Sequence, residues 1–158
     1  MSEPLLVKSL DAFVEAAIAK QFRAYGWGQK GPSQYDCSGL VTASILEAGG
    51  PDLRQTHNSQ VMYLPPKDTP KAHRGFAPAT WKKGGPVLLA FYGKDDFSVE
   101  HVMLALPDGR AFGACGGGRK TVTLADAARD RAFVRYQPTH NYRRQRDLLG
   151  YRELRYRP

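Results

Sequence analysis

Hydrophobic residues in the first third of the chain recur at the spacing of amphipathic helices. From Ser9 to Ala24 the apolar side chains repeat every three or four residues, Ser9 can cap the start, and Gly26 stands just past the end. A second helix is predicted from about Cys37 to Ala48, because Gly-Gly-Pro follows at positions 49–51. The predicted buried positions are Leu10, Phe13, Val14, Ala17, Ile18 and Phe22 in the first helix and Leu40, Val41, Ser44 and Ile45 in the second.

From Pro86 onward the pattern changes to short apolar runs of strand length. Asp108-Gly109 is a turn signal between two of these runs, and Thr123 can cap a short helix that extends to Arg129. The predicted strands are Val87–Tyr92, His101–Leu106, Arg110–Cys115, Lys120–Thr123, Ala132–Tyr136 and Gly150–Arg155.

The segments between these elements carry weaker signals. Tyr25–Tyr35 is predicted to be a loop because it is rich in glycine and proline. Residues 51–85 are poorly patterned, and one short helix is predicted there around His57 to Tyr63. Because helices come first and strands follow, the sequence predicts a single α+β domain over residues 1–158 with a mainly antiparallel sheet.

Composition and charge narrow the classes of partner. The chain has 158 residues, 42% of them hydrophobic and 24% charged, which is typical of one globular domain. The net charge of +8 is concentrated in a basic segment from about 140 to 158, which predicts attraction to nucleic acid, anionic lipid or an acidic cell-wall polymer. No zinc-finger spacing or heptad-bearing basic helix adds support for nucleic acid. The arginines of this segment are Arg143, Arg144, Arg146, Arg152, Arg155 and Arg157.

Two features bear on the compartment. No apolar stretch approaches the roughly 20 residues that span a bilayer, so no membrane span is predicted. Residues 1–8 have no basic region followed by a long apolar run, so no secretory signal is predicted. Two cysteines are too few for a disulfide framework.

The first candidate for a catalytic residue lies at the start of the second predicted helix. Asp36 can serve as the N-cap, which places Cys37 in the first turn, where unpaired N–H groups and the helix dipole favour the thiolate. Gly39 would let another segment approach the helix closely. The residues alone leave two readings open, a nucleophile or a buried cysteine beside an ordinary cap.

The second candidate is His101, which opens a predicted apolar strand. An imidazole at this position can take the proton of a nearby thiol and later deliver it to a leaving amine. A structural histidine at a strand end is the alternative.

Taken together, these residues resemble the NlpC family of cell-wall cysteine peptidases, in its phage or prophage type. The resemblance rests on Tyr25-Gly26-Trp27-Gly28, on Asp36-Cys37-Ser38-Gly39-Leu40 and on His101-Val102, in that order and spacing. It extends over roughly residues 10 to 136, with support from Thr56–Gln60 and from the glycine-rich run 112–118.

The resemblance implies a papain-like α+β fold in which a helix that bears the cysteine packs on an antiparallel sheet that bears the histidine. It further implies that Cys37 is the nucleophile, that His101 is the general base, and that Tyr25 donates to the oxyanion. Asp36 and Ser38 would hold the free amine of a peptidoglycan stem peptide, cut between D-Glu and the diamino acid. No metal or organic cofactor is implied.

One departure concerns the third catalytic position. The family usually has a polar residue twelve positions after the histidine, where this chain has Gly113. Cys115 is predicted to share its strand face, whereas His140 and Asn141 are remote in the chain. A backbone carbonyl or a water can replace the missing group, or glycine can be required by a positive φ.

The same resemblance leaves other functions open. Without a secretory signal, the predicted route to the wall is a phage, prophage or gene-transfer particle, with tail proteins as partners. One alternative is a structural tail component with weak or no catalysis. The other is an amidase or acyltransferase of the same fold.

Overall fold

The computed structural model of the chain describes residues 7–69, 75–141 and 147–155. Within these ranges lie four helices and eight strands. In chain order they are α1 (Leu10–Ile18), β1 (Ala24–Tyr25), β2 (Gln34–Tyr35), α2 (Cys37–Glu47), α3 (Ser59–Tyr63), β3 (Phe76–Ala79), β4 (Leu88–Gly93), β5 (Val99–Ala105), β6 (Ala111–Cys115), α4 (Leu124–Asp130), β7 (Phe133–Gln137) and β8 (Asp147–Leu154).

The strands form one sheet in the order β2-β1-β7-β6-β5-β4-β8-β3. Neighbouring strands are antiparallel except β1 and β2, which run parallel. Helices α1 and α2 pack on one face, where Phe13, Leu40 and Phe91 are fully buried. The other face carries a second buried cluster that includes Tyr92 and Met103. The predicted α+β architecture with a mainly antiparallel sheet is confirmed.

Helix α2 is the most deeply buried helix of the described chain. The side chain of Asp36 accepts a hydrogen bond from the Gly39 amide and so caps its start, as predicted. Every residue from Cys37 to Ile45 is buried, so the helix is enclosed on all sides. It ends one residue before the predicted Ala48, ahead of Gly49 at a positive φ of 85°.

Helix α1 ends earlier than predicted. It stops at Ile18 and not at Ala24, because the chain turns at Phe22, whose φ is 72°, and residues 24–25 then join the sheet as β1. Phe22, predicted to be a buried helix position, is instead 72% exposed.

A second correction concerns residues 120–123, which do not form a strand. The Thr121 amide donates to the carbonyl of Gly118 in a turn, and Thr123 caps α4 with a full capping box to Asp126. The strands β1, β2 and β3 were missed because the first two have two residues each and the third contains Pro78.

The basic C-terminal segment is partly a structural element. Residues 147–154 form β8, which lies between β4 and β3 in the sheet. Arg152 packs over the ring of Tyr63 at 3.9 Å and donates to the Tyr63 carbonyl, so it serves the fold. Arg143, Arg144, Arg146 and Arg157 lie outside the described residues. Among the described helices, none is long and apolar enough to cross a membrane.

Candidate active site

A cavity of about 680 Å³ opens at the first turn of α2. Its walls come from the loop between β1 and β2, the residues before and within α3, the start of β5 and the loop after β6. Four residues that the sequence predicted for the site line it together: Tyr25, Asp36, Cys37 and Ser38.

Asp36 connects the helix start to the neighbouring loop. One carboxylate oxygen accepts from the Gly39 amide and from the Ser38 hydroxyl at 3.3 Å, and the other accepts from the Gly28 amide at 3.1 Å. Burial raises the pKa of Asp36 even though these hydrogen bonds and Lys30 favour the carboxylate. The predicted capping role is therefore present, and the carboxylate also faces the cavity.

Gly39 makes the close approach that the sequence predicted. A Cβ at this position would overlap the carbonyl oxygen of Gln29 and would lie 2.7 Å from an Asp36 carboxylate oxygen. The same carbonyl accepts the Asp36 amide at 2.9 Å. The loop between β1 and β2 and the start of α2 are therefore in direct backbone contact.

Tyr25 is held on several sides. Its amide donates to the Ala132 carbonyl at 3.0 Å, and its carbonyl accepts from the side chain of Gln34 at 3.1 Å. Gly117, in the glycine-rich loop after β6, lies against the ring, and a Cβ on Gly117 would stand 2.6 Å from Cε1. This loop therefore fixes the phenol at the cavity wall.

His101 lies on β5 as its third residue, not its first as predicted, and its side chain is buried. The two residues before it, Val99 and Glu100, line the cavity. Its ring lies 5.6 Å from the ring of Tyr92 on β4.

The Thr56–Gln60 segment holds the start of β5. The side-chain amide of Gln60 donates to the Asp96 carbonyl and accepts from the Val99 amide, both at 2.9 Å. His57 of the same segment is buried at the cavity, with Nδ1 2.8 Å from the Thr56 hydroxyl. The sequence alone gave no role to Gln60, because its contacts join segments about 40 residues apart.

At the third catalytic position, the space in front of Gly113 is filled by Met103. A Cβ on Gly113 would lie 3.3 Å from Cγ of Met103. Gly113 is not among the glycines with positive φ, so that explanation of the glycine is wrong. Cys115 shares this face of the sheet, as predicted, and accepts from the Gln137 side chain at 3.2 Å.

Cys37 is expected to be the more reactive of the two thiols. Both are buried, but Cys37 lines the cavity at a helix start, whereas burial raises the pKa of the Cys115 thiol. Iodoacetamide at about pH 7 should therefore modify Cys37 roughly tenfold faster. Peptide mass spectrometry over time measures both rates, and equal rates would contradict the expectation.

The geometry places a cysteine at the start of a buried helix that packs on an antiparallel sheet, which is the papain-like α+β arrangement. The sequence profile of the NlpC/P60 family matches residues 22–138. The chain therefore belongs to the NlpC/P60 family, as the sequence predicted, and its phage or prophage type stays a prediction.

Several solved structures share the fold of this chain. RipB of Mycobacterium tuberculosis, described as a peptidoglycan hydrolase, is 20% identical with a TM-score of 0.54, covering 93% of this chain and 65% of that one. The NlpC/P60 domain of the peptidoglycan hydrolase SagA is 20% identical with a TM-score of 0.53, covering 81% and 87%. NlpC1 of Trichomonas vaginalis is 18% identical with a TM-score of 0.54, covering 92% and 44%.

The papain-like fold class predicted from the sequence is thereby confirmed. The chain spans 44% of the length of NlpC1, and 42% of the length of a further matching structure, an NLP/P60-family protein of Staphylococcus aureus that is described as similar to lipoprotein. Among proteins of curated function, none matches the chain.

Proposed function

We propose that the chain is a cysteine peptidase that hydrolyses an amide bond in the peptide stem of bacterial peptidoglycan. The observation that carries the proposal is the position of Cys37, in the first turn of α2 and in the wall of a cavity that Tyr25 and Asp36 also line. Two solved relatives of the same fold are described as peptidoglycan hydrolases.

In the proposed reaction His101 takes the proton of the Cys37 thiol, and the sulfur attacks the carbonyl carbon of the scissile amide. The oxyanion that forms accepts a hydrogen bond from the Tyr25 hydroxyl. The C–N bond then breaks as the imidazolium returns its proton to the leaving amine, and an acyl-enzyme remains. Water, deprotonated by the same imidazole, hydrolyses the thioester and regenerates the thiol.

Recognition of the substrate is assigned to Asp36 and Ser38. The Asp36 carboxylate lies at the cavity with only one N–H, that of Gly28, on its second oxygen among the hydrogen bonds of the described residues. An ammonium group is the natural further partner of a half-buried carboxylate. This favours a stem peptide with a free amino terminus, cut between D-Glu and the diamino acid.

Digestion of defined muropeptides with mass-spectrometric analysis tests the proposal. The expected products are the two fragments of the D-Glu–diamino acid bond, and Cys37→Ala and His101→Ala should form neither. Cys115→Ala is the matched control and should retain cleavage. Intact muropeptides after incubation with the wild-type protein would refute the proposal, and cleavage of a different amide would favour the amidase reading.

The affinity for a free-amine substrate should depend on pH through Asp36. Falling pH protonates the carboxylate and removes its attraction for the ammonium group. Because burial raises the pKa of Asp36, this loss should occur at higher pH than for an exposed aspartate. KM on a stem peptide should therefore rise as the pH falls from about 7 towards 4.

Asp36→Asn is the control for this dependence, since an amide at position 36 does not titrate in that range. Its KM should be high and flat with pH. A flat KM for the wild-type protein would leave Asp36 with its capping role alone, whose loss costs about 1 kcal/mol. Delivery by a phage-like particle stays a prediction from the sequence.

A further inference from the structure

Tyr92 is a buried aromatic residue directly beside His101. The two residues pair across β4 and β5, and their ring centroids are 5.6 Å apart with the planes tilted by 42°. Tyr92 is fully buried, with 0% of its surface exposed. The imidazole of His101 is therefore packed on one side against the fully buried ring of Tyr92.

The far end of Tyr92 is anchored as well. Its hydroxyl donates to the carbonyl of His140 at 2.6 Å. His140 is itself fixed, since its amide donates to the Gly109 carbonyl, its ring packs on Trp81 at 4.4 Å, and Nδ1 lies 2.9 Å from the Tyr151 hydroxyl. His140 is distant from His101 in the sequence, but Tyr92 contacts both residues.

On β6, the other strand next to β5, the register places Gly113, at the third catalytic position, beside Met103. Gly113 has no side chain, and the thioether of Met103 fills the space in front of it. Ring packing against Tyr92 is a way to restrict the rotation of a buried imidazole. A cation within about 6 Å of an aromatic centroid is also attracted to the ring, which favours the imidazolium after proton transfer.

We propose that Tyr92 is a positioning residue for His101, with its ring fixed through the hydroxyl bond to the His140 carbonyl. This inference rests on the proposed function, in which His101 is the base. Tyr92 touches neither the substrate nor the reacting sulfur in this scheme. It acts by holding the imidazole in one orientation.

The test compares Tyr92→Leu with Tyr92→Phe on a soluble stem peptide. Tyr92→Leu removes the ring and should lower kcat by about tenfold to a hundredfold with KM unchanged, since misplacement by an ångström costs rates of this order. Tyr92→Phe keeps the ring and should restore most of kcat, although the lost hydroxyl bond lowers stability.

Tyr63 offers the matched control. It too is buried, packs on Phe91 at 5.2 Å, and donates its hydroxyl to the Leu149 carbonyl at 3.3 Å, with no histidine among these partners. Tyr63→Leu should lose stability like Tyr92→Leu but keep kcat. Equal kcat losses in the two leucine variants, or a wild-type kcat in Tyr92→Leu, would overturn the inference.

Failure of the proposed function and failure of the inference about Tyr92 give different results. If His101→Ala retains cleavage, the proposed function fails, and the inference fails with it. If His101→Ala is inactive while Tyr92→Leu behaves like Tyr63→Leu, only the inference fails. NMR of the unaltered protein supplies a readout that needs no variant, because NOEs between the His101 and Tyr92 rings are expected and their absence would overturn the inference.

Discussion

Replacing Gly39 with alanine is expected to destabilise the protein by about 2 kcal/mol. The added methyl group would overlap the Gln29 carbonyl oxygen, and that oxygen is held in place by the Asp36 amide at 2.9 Å. Both partners are backbone, so the helix start or the loop has to shift, at a cost of up to about 3 kcal/mol. Alanine gains about 1 kcal/mol over glycine in a helix, which offsets only part of this cost.

Thermal denaturation measures this effect, and a fall in Tm of roughly 4–8 °C corresponds to it in a chain of this length. Gly118→Ala is the control, because a Cβ at Gly118 meets nothing within 4 Å among the described residues and its φ is not positive. If Gly39→Ala melts at or above the control, the close packing of the loop on the helix start is not as described.

Replacing Gly117 with alanine is expected to lower kcat by about a hundredfold while changing stability little. The new methyl group would stand 2.6 Å from Cε1 of Tyr25, so the ring has to move off the cavity wall. Because a side chain moves more easily than backbone, the clash should displace the Tyr25 ring and leave the backbone in place. In the proposed mechanism Tyr25 is the oxyanion donor, and loss of one such donor costs about a hundredfold to a thousandfold in rate.

Turnover of a soluble stem peptide checks this expectation, with the melting temperature measured alongside. Tyr25→Phe sets the scale, since it removes the hydroxyl without moving the ring. A Gly117→Ala protein with the kcat of the wild-type protein would show that the ring position does not control the rate.

Much of the candidate site could be predicted from the sequence because its central residues are close together in the chain. Asp36, Cys37 and Gly39 lie within four residues, and a cap, a first-turn residue and a glycine have the same geometry wherever a helix begins. The predicted start of α2 at Cys37 and its N-cap Asp36 are accordingly confirmed. Thr123 at the start of α4 was predicted for the same reason.

The sequence by itself thus determined the α+β class and the helix start that carries Cys37, because capping and hydrophobic periodicity act over a few residues. It indicated the family through the resemblance of its motifs to the NlpC family. Only the tertiary structure decided that Gly117 rests on Tyr25, that Gln60 holds the start of β5, and that Tyr92 packs on His101. The first two contacts join segments that are distant in the chain, and the third depends on the register between β4 and β5. Their geometry follows from how the sheet and loops pack together, which no local pattern encodes.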